Sequence, residues 1–556
     1  DALPISATGE RMNVYSVAAV MSKEDEMKRQ EFATFIKNLR KSAEQPSDLY
    51  PYDIEVKNCS YVLNLEDNRG NQEKWLVVQQ VGFEKQVQPS ITDAYRRGSL
   101  GMLPRGGVAC LLEKNSTLDE PEIRAKKAYC FLPLPLETHL PLHINGHFAL
   151  DHESRRNLWR DKAGDSRTDW NNALLEDVIA SCYLTLLDEV RSFFHFPISP
   201  TSAKSKPHCN NDALFTKIYE YEKLFPLVIS EDTYWATLIR AVYRRMDEKG
   251  LKLLPVVRRG RSERNVEDTQ FTWLPPTGEG KEKAFFNNLG ASDCFARKPR
   301  RSLFESDPEK EEQQRTEKMR RFEDILLQTG FNLVKFSDLV YDALKKSGVE
   351  SHCVSPSAVM AFYKTFNDDN PLCFVGPMSV HIKNTPFKEI GDVLLVLNYC
   401  KDDENFMENL SGVPLLVTQN EHLHTFSPDD PKYLSRHHGI LPQCSEMFVH
   451  NDIRFHIFNA AKSQKSPVFK HLGVGDFATF LDRTLPREYS TSDRFVAWCP
   501  TQISVPNKQW VEAVWKFLGE ETESLFKEER KTLSQGEEIE RIKTILEPLS
   551  NWSILP

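Results

Sequence analysis

The chain has 556 residues, which at roughly 150 residues per domain predicts three or four folding units with full cores. Hydrophobic residues make up 40%, which excludes disorder throughout. A net charge of -9, from 71 Lys and Arg against 80 Asp and Glu, argues against nucleic acid as a main partner.

Apolar runs such as 392–397 stop far short of the about 20 residues needed to cross a bilayer, so no membrane span is expected. Eleven cysteines are scattered singly without a CxxC pair, the pattern of reduced thiols in cytosol. The sequence begins at Asp1 with neither methionine nor a targeting segment, from which a piece of a larger protein is expected.

In chain order, Ser22 with Asp25 three positions on predicts a capped helix, and Phe32, Phe35, Ile36 and Leu39 recur at helical spacing until Pro46 and Pro51. The runs 54–65 and 75–81 flank the turn-forming stretch 66–71 and predict a hairpin. Further strands are expected at 108–112 and 128–132, giving a helix on a mostly antiparallel sheet over residues 1–165, an α+β domain. Asp169 reads as the N-cap of a buried helix with Leu174, Val178, Cys182 and Leu186 on one face. Helical patterns at 212–224 and 232–247 extend this texture into a helix-rich region, 166–293.

Apolar residues thin out over 294–321, where a basic cluster at 297–301 precedes the acidic run 308–312, and a charged linker or loop is expected. Beyond it, helices at 320–328, 336–346 and 355–366 alternate with two buried-strand patterns, 393–397 and 414–418. Region 322–556 is therefore expected to be a second α/β module. Its helical tail carries Trp510, Val514, Trp515 and Leu518 in a turn pattern closed by Gly519, then Ile539, Ile542 and Ile545. The fold class is thus α+β and α/β, multidomain.

Familiar catalytic motifs are missing. Gly278-Glu279-Gly280-Lys281 lacks P-loop spacing, Gly473-Val474-Gly475 is a broken dinucleotide fingerprint, and no serine sits in a GxSxG frame. HExxH is absent. His143, Asn145 and His147 fall on alternate positions beside Pro141, so they share one face of an extended strand, open either to local backbone bonding or to partner contact. A second histidine cluster, His422 and His424 with Asp429, Asp430, His437 and His438, lies in polar, turn-rich chain. No metal ligand set and no catalytic residue is assigned. An enzyme assembled from His143, His147, His422 and His424 stays open as an alternative.

Three blocks, Ala128-Tyr129-Cys130-Phe131-Leu132-Pro133-Leu134-Pro135, Leu140-Pro141-Leu142-His143-Ile144-Asn145-Gly146-His147-Phe148 and Arg155-Arg156-Asn157-Leu158-Trp159-Arg160, resemble the repeat region of the sacsin family. The run Asp169-Trp170-Asn171-Asn172-Ala173-Leu174 continues the match, which is specific over about 75–180. The resemblance implies a segment downstream of a GHKL-type, heat-shock-chaperone-like ATPase module. ATP and magnesium are then expected on that upstream module and no cofactor on this chain, since the acidic residue with downstream asparagine, the DxGxG loop and the glycine-rich lid are not found.

The implied role is that of a nonenzymatic chaperone or co-chaperone segment, transducing or scaffolding beside the ATPase. Its implied partners are the heat-shock chaperone system, unfolded clients and intermediate filament proteins, and its implied location is the cytoplasm and the mitochondrial surface. Arg105, between Pro104 and Gly106, is a candidate for reaching the upstream ATP phosphate. His143, Asn145, Gly146, His147, Arg155, Arg156 and Trp159 are family-motif residues and candidates for partner contact. A structural spacer between repeats is the other reading.

Overall fold

The computed structural model describes residues 16–43, 53–115, 126–152, 155–162, 164–194, 211–227, 234–259, 269–287, 289, 295, 308–365, 379–463, 467–490, 496, 498, 499, 501–526 and 535–554. Pro46, Pro51 and the basic cluster at 297–301 lie outside them. The chain divides into two units, residues 1–287 with 332–353, and residues 288–331 with 354–556. The architecture is mixed, with helices and several small sheets, in agreement with an α+β multidomain fold.

In the first unit β1 (Val17–Val20) leads into α1 (Lys23–Ala43). The expected cap is present: the Ser22 hydroxyl accepts from the Asp25 N–H at 3.0 Å and donates to the Asp25 carboxylate at 2.7 Å. β2 (Lys57–Asp67) and β3 (Gln72–Val81) form the expected antiparallel hairpin, turning at Gly70 with φ 83°. After α2 (Pro89–Arg96) come β4 (Arg105–Asn115), β5 (Lys127–Cys130), β6 (Leu132–Glu137) and β7 (His143–Gly146). They complete a seven-stranded sheet in the order β1-β2-β3-β4-β7-β5-β6, antiparallel except where β5 meets β7. Pro133 and Pro135 are tolerated because β6 is an edge strand.

The buried helix begins one turn before the expected cap. Asp165, not Asp169, is the N-cap, accepting from the Arg167 and Thr168 N–H groups at 3.1 and 2.9 Å. Asp169 is inside the helix, buried, and accepts from the Ser90 hydroxyl. α3 (Ser166–Ala173), a π turn (Leu174–Ile179) and α4 (Ala180–Phe193) follow without a break, and Leu174, Val178, Cys182 and Leu186 are buried as their spacing predicts.

Strand alternation sends Leu76, Val78, Val108 and Ile144 to the helix side of the sheet. Gly106 and Gly146, paired across β4 and β7, lie directly beneath the π turn. A Cβ at Gly106 would stand 2.8 Å from Ile179 Cγ1, and one at Gly146 3.0 Å from Leu174 Cδ2. The two glycines therefore set how closely helix and sheet approach.

α5 (Asn211–Glu222) and α6 (Tyr234–Glu248) follow, and α6 presses Arg245, only 3% exposed, against the π turn. Its guanidinium donates to the Glu176 carbonyl at 3.1 Å and to the Asp177 carboxylate at 2.8 Å, and also bonds Glu84. Burial works against the charge on Glu84, but Lys249, Ser181 and Arg245 together bring its carboxyl down to about 2. At Asp177 burial outweighs the Arg245 attraction, and the carboxyl sits above its ordinary range.

The expected helix-rich middle also holds strands: β8 (Leu254–Arg259), β9 (Thr269–Leu274) and β10 (Ala284–Phe286). The chain next forms α7 (Pro308–Gln328) of the second unit, then returns with β11 (Asn332–Val334), α8 (Asp338–Lys346) and β12 (His352–Cys353). This sheet has the order β12-β10-β11-β8-β9, with β10 parallel to both β11 and β12. The acidic run 308–312, read as linker, instead opens α7, where a first-turn proline and carboxylates suit a helix N-terminus.

The second unit continues through α9 (Pro356–Lys364), capped by Ser355, then β13 (Val380–His381), α10 (Ile390–Cys400), α11 (Phe406–Asn409), β14 (Leu416–Val417), β15 (His422–His424) and β16 (Lys432–Tyr433). It closes with α12 (Asn451–Ser463), β17 (Phe469–Lys470), α13 (Val474–Thr484), α14 (Lys508–Phe526) and α15 (Gln535–Leu546). The sheets are small, β13-β15-β14 and β16-β17. The run 393–397, expected as a strand, is the middle of α10, and Gly519, expected to end a helix, lies inside α14.

Candidate functional site

The sheet face turned away from the π turn carries the candidate site. α1 covers one end of that face, packing Phe32 and Ile36 on Cys59, Tyr61 and Val81. Among the described residues, the remainder is open. Cross-strand register puts Gln79, Gly107, Asn145 and Tyr129 in one row, and Val77, Ala109 and His143 in the next. β4 thus contributes only Gly107 and Ala109 between bulkier neighbours, and a trough of about 390 Å³ follows its length. Gly107 admits no side chain, since a Cβ there would stand 2.7 Å from the Val78 carbonyl oxygen.

The walls are aromatic. Trp75 lies 5.4 Å from the His143 ring and Tyr129 5.7 Å from it, while the Phe131 ring lies tilted at 4.7 Å from that of His147. Phe131 has φ 62° and is 63% exposed, and its neighbour Leu132 is 75% exposed, so the rim of the trough offers apolar surface to solvent.

One end is polar. An Arg105 Nη2–H donates to Gln79 Oε1 at 2.9 Å, and the Gln79 amide donates to the Tyr61 hydroxyl at 3.0 Å. The guanidinium is thereby held in one orientation. His143 Nδ1 accepts from the Lys127 N–H at 3.0 Å, which leaves the proton of the neutral ring on Nε2. Burial, aided by the Lys126 charge, holds its pKa below the ordinary histidine value. His147 Nδ1–H donates to the Leu103 carbonyl at 3.1 Å, and Asn145 Oδ1 accepts from the Phe131 N–H at 3.4 Å.

The structure therefore brings together Arg105, His143, Asn145 and His147. Gly146 serves the opposite face, beneath the helix. Arg155 and Arg156 are exposed in the loop after β7, and the Arg155 N–H donates to Asp151 at 3.0 Å. Trp159 belongs to a different, polar hollow of about 700 Å³ with Ser90, Arg160 and Tyr234; its indole donates to Asp165 at 2.8 Å and Arg167 lies over its ring at 5.1 Å. Trp75, Gln79, Tyr129 and Phe131 are site residues that local sequence did not flag. They come from β3, β5 and the turn that follows β5, and cross-strand register sets Trp75, Gln79 and Tyr129 beside the residues of β4 and β7.

Of the histidines weighed for an enzyme, His143 and His147 belong to the first unit and His422 and His424 to the second. His422 Nδ1 bonds the Asn420 carbonyl at 2.8 Å, and burial drives His424 down to about 4. Among the described residues no group of three or more His, Cys, Asp or Glu is placed to hold a metal ion. In the α14 helix, Trp510 is buried and donates to the Ile440 carbonyl at 2.8 Å, whereas Trp515 is 42% exposed. No described helix is long and apolar enough to cross a membrane.

Fold and site together define an α+β protein whose first unit lays a helical rod on one face of an open sheet and leaves an aromatic-walled trough on the other. Human sacsin is 30% identical to the chain over 574 residues, covering 99% of the chain and 12% of that much longer protein. The chain is therefore a sacsin-like repeat region, and the resemblance first visible near 75–180 runs through both units. No family model matches the chain, and no solved structure matches it.

Proposed function

We propose that the chain is a nonenzymatic segment of a sacsin-like chaperone or co-chaperone that contacts partly unfolded clients through the open face of its first sheet. The observation that carries this reading is the trough with its aromatic walls and the exposed Phe131 among them, next in the chain to the exposed Leu132. Apolar surface left uncovered beside a packed core is what an unfolded segment recognises. ATP and magnesium belong, on this reading, to a module outside this sequence. Heat-shock chaperones and intermediate filament proteins are the partners it anticipates, in the cytoplasm and at the mitochondrial surface.

The test needs no nucleotide. The purified chain is mixed with a heat-labile client, and light scattering is followed against an inert protein at equal mass. Suppressed aggregation, lost on Phe131→Ser with Leu132→Ser, supports the reading. Unchanged scattering with the parent chain sinks it in favour of a spacer.

A further inference from the structure

Besides the trough and the hollow at Trp159, the first unit has a cavity of about 350 Å³ between the chain 83–88, the π turn and α6. That volume is at the small end of the about 300–1,000 Å³ usual for small-molecule sites. α6 lines it with Arg240, with Arg244 one helical turn on, and with Arg245. Lys85 enters from the chain before α2, and Glu176, Asp177 and Glu248 supply the opposite charge. Two of these carboxylates are held by cations of the cavity. Asp177 accepts from Arg245 and from the Lys85 N–H, each at 2.8 Å, and Glu248 meets the Lys85 ammonium at 2.8 Å. Arg244 uses only its Nε–H, which donates to the Ser347 carbonyl at 2.9 Å. Among the described residues no hydrogen bond or ion pair reaches the Arg240 guanidinium or the two Arg244 Nη groups. Arg245, 3% exposed, keeps an Nε–H buried without an acceptor, a destabilising arrangement that is rare in folded chains.

We infer that this cavity binds a phosphate group, free or carried by a small molecule, with Arg240, Arg244 and the Arg245 Nε–H as its donors. The site is separate from the trough and does not depend on the client-binding reading.

The unused donors select the ligand. A guanidinium offers five N–H groups in a planar fork, and an ionised carboxylate, whether on a side chain or a chain end, has only about four lone-pair sites to meet them. A phosphate group turns three or more oxygens toward several forks at once, through charge-assisted bonds stronger than neutral ones. It also carries about 1.5–2 negative charges at pH 7, which suits two guanidiniums that have no bonded counter-ion. Glu176 opposes it. Its carboxylate makes no hydrogen bond, and burial raises its pKa against the pull of the Arg244 and Lys85 charges, with Asp177 beside it adding to the rise. An arriving anion meets that negative charge, so removing it should favour binding.

The experiment titrates glycerol 3-phosphate, inorganic phosphate and glycerate separately into the 556-residue chain at pH 7.5, read by isothermal titration calorimetry. One saturable site per chain is expected for the phosphates, with glycerate, which offers a carboxylate in place of the phosphate, weaker by about tenfold or more. Arg240→Gln and Arg244→Gln should each weaken phosphate binding by about fivefold or more, and Glu176→Gln should tighten it about threefold. Arg240→Gln removes no bond of the fold, so its effect is read on the ligand alone, and urea midpoints check each variant. Tighter binding of glycerol 3-phosphate than of inorganic phosphate assigns an ester, and equal binding assigns the free ion. The inference is overturned by the absence of saturable heat from both phosphates, by glycerate binding as tightly as they do, or by phosphate affinity unchanged in both arginine variants.

Discussion

His471 Nε2 and Glu521 Oε1 meet at 2.8 Å, and this hydrogen bond, working against some burial, raises the His471 pKa above its ordinary value. A group whose folded pKa is raised adds stability that is fully present below the unfolded value of about 6.5 and fades as pH rises through the folded value. Comparing the parent chain with His471→Gln in urea should therefore give a larger midpoint difference at pH 5.5 than at pH 8.5. The His471 side chain is largely exposed, so solvent screening limits the difference to about 1 kcal/mol or less. His424 acts in the opposite sense. Burial holds it down to about 4, so the fold loses stability as pH falls from about 6.5 toward that value. Subtracting variant from parent cancels the His424 contribution, and an unchanged difference at the two pH values would refute the assignment to His471.

At the level of elements, the contact between the π turn and β4 depends on Gly106. Replacing it with alanine drives a methyl group to within 2.8 Å of Ile179 Cγ1, and such overpacking costs about 1–3 kcal/mol. Gly101→Ala, with nothing within 4 Å of its new methyl, is the matched control. Denaturant midpoints measured side by side should fall for the first and hold for the second. The elements also differ in how far their residues announce them. Ser22 with Asp25, the hairpin around Gly70 and the stripe Leu174, Val178, Cys182 and Leu186 are local signals, and each was legible. The run 393–397 was not, because an uninterrupted apolar stretch reads alike as a buried strand or a buried helix, and α10 buries Val393, Val396, Leu397, Tyr399 and Cys400 around much of its circumference. Strand β8 lacks clean alternation and β9 alternates only over Gln270 to Trp273, and Gly519 stands in α14 where neighbouring side chains outweigh its poor helix propensity. Of the trough, the alternation of His143, Asn145 and His147 gave one wall; Trp75 and Gln79 joined it only through pairings that span tens of residues.

For the whole molecule, the division into units is not a cut at one point in the sequence. The first unit needs residues 332–353, because β11 is the strand that joins β10 to β8 in the second sheet. A chain stopped at residue 287 keeps the β8–β9 hairpin and β10 but lacks the strand between them. The full chain should show a cooperative urea transition by tryptophan fluorescence for this region and the truncated chain should lose it; a sharp transition of parent amplitude in the truncated chain would contradict the role given to β11. Unpaired strand edges also expose backbone donors and acceptors, so the truncated chain should aggregate more readily.

The same discontinuity bears on the order of events during synthesis. Translation delivers β8, β9 and β10 first, then residues 288–331, which belong to the other unit, and only afterwards the central strand β11. At roughly 5–20 residues per second, the nascent first unit waits several seconds or less with an open sheet, while α7 emerges with no second unit yet made to receive it. Neither unit can close before the ribosome has passed well into the other. A factor that engages the emerging chain between residues 287 and 332 would thus govern the maturation of both units at once.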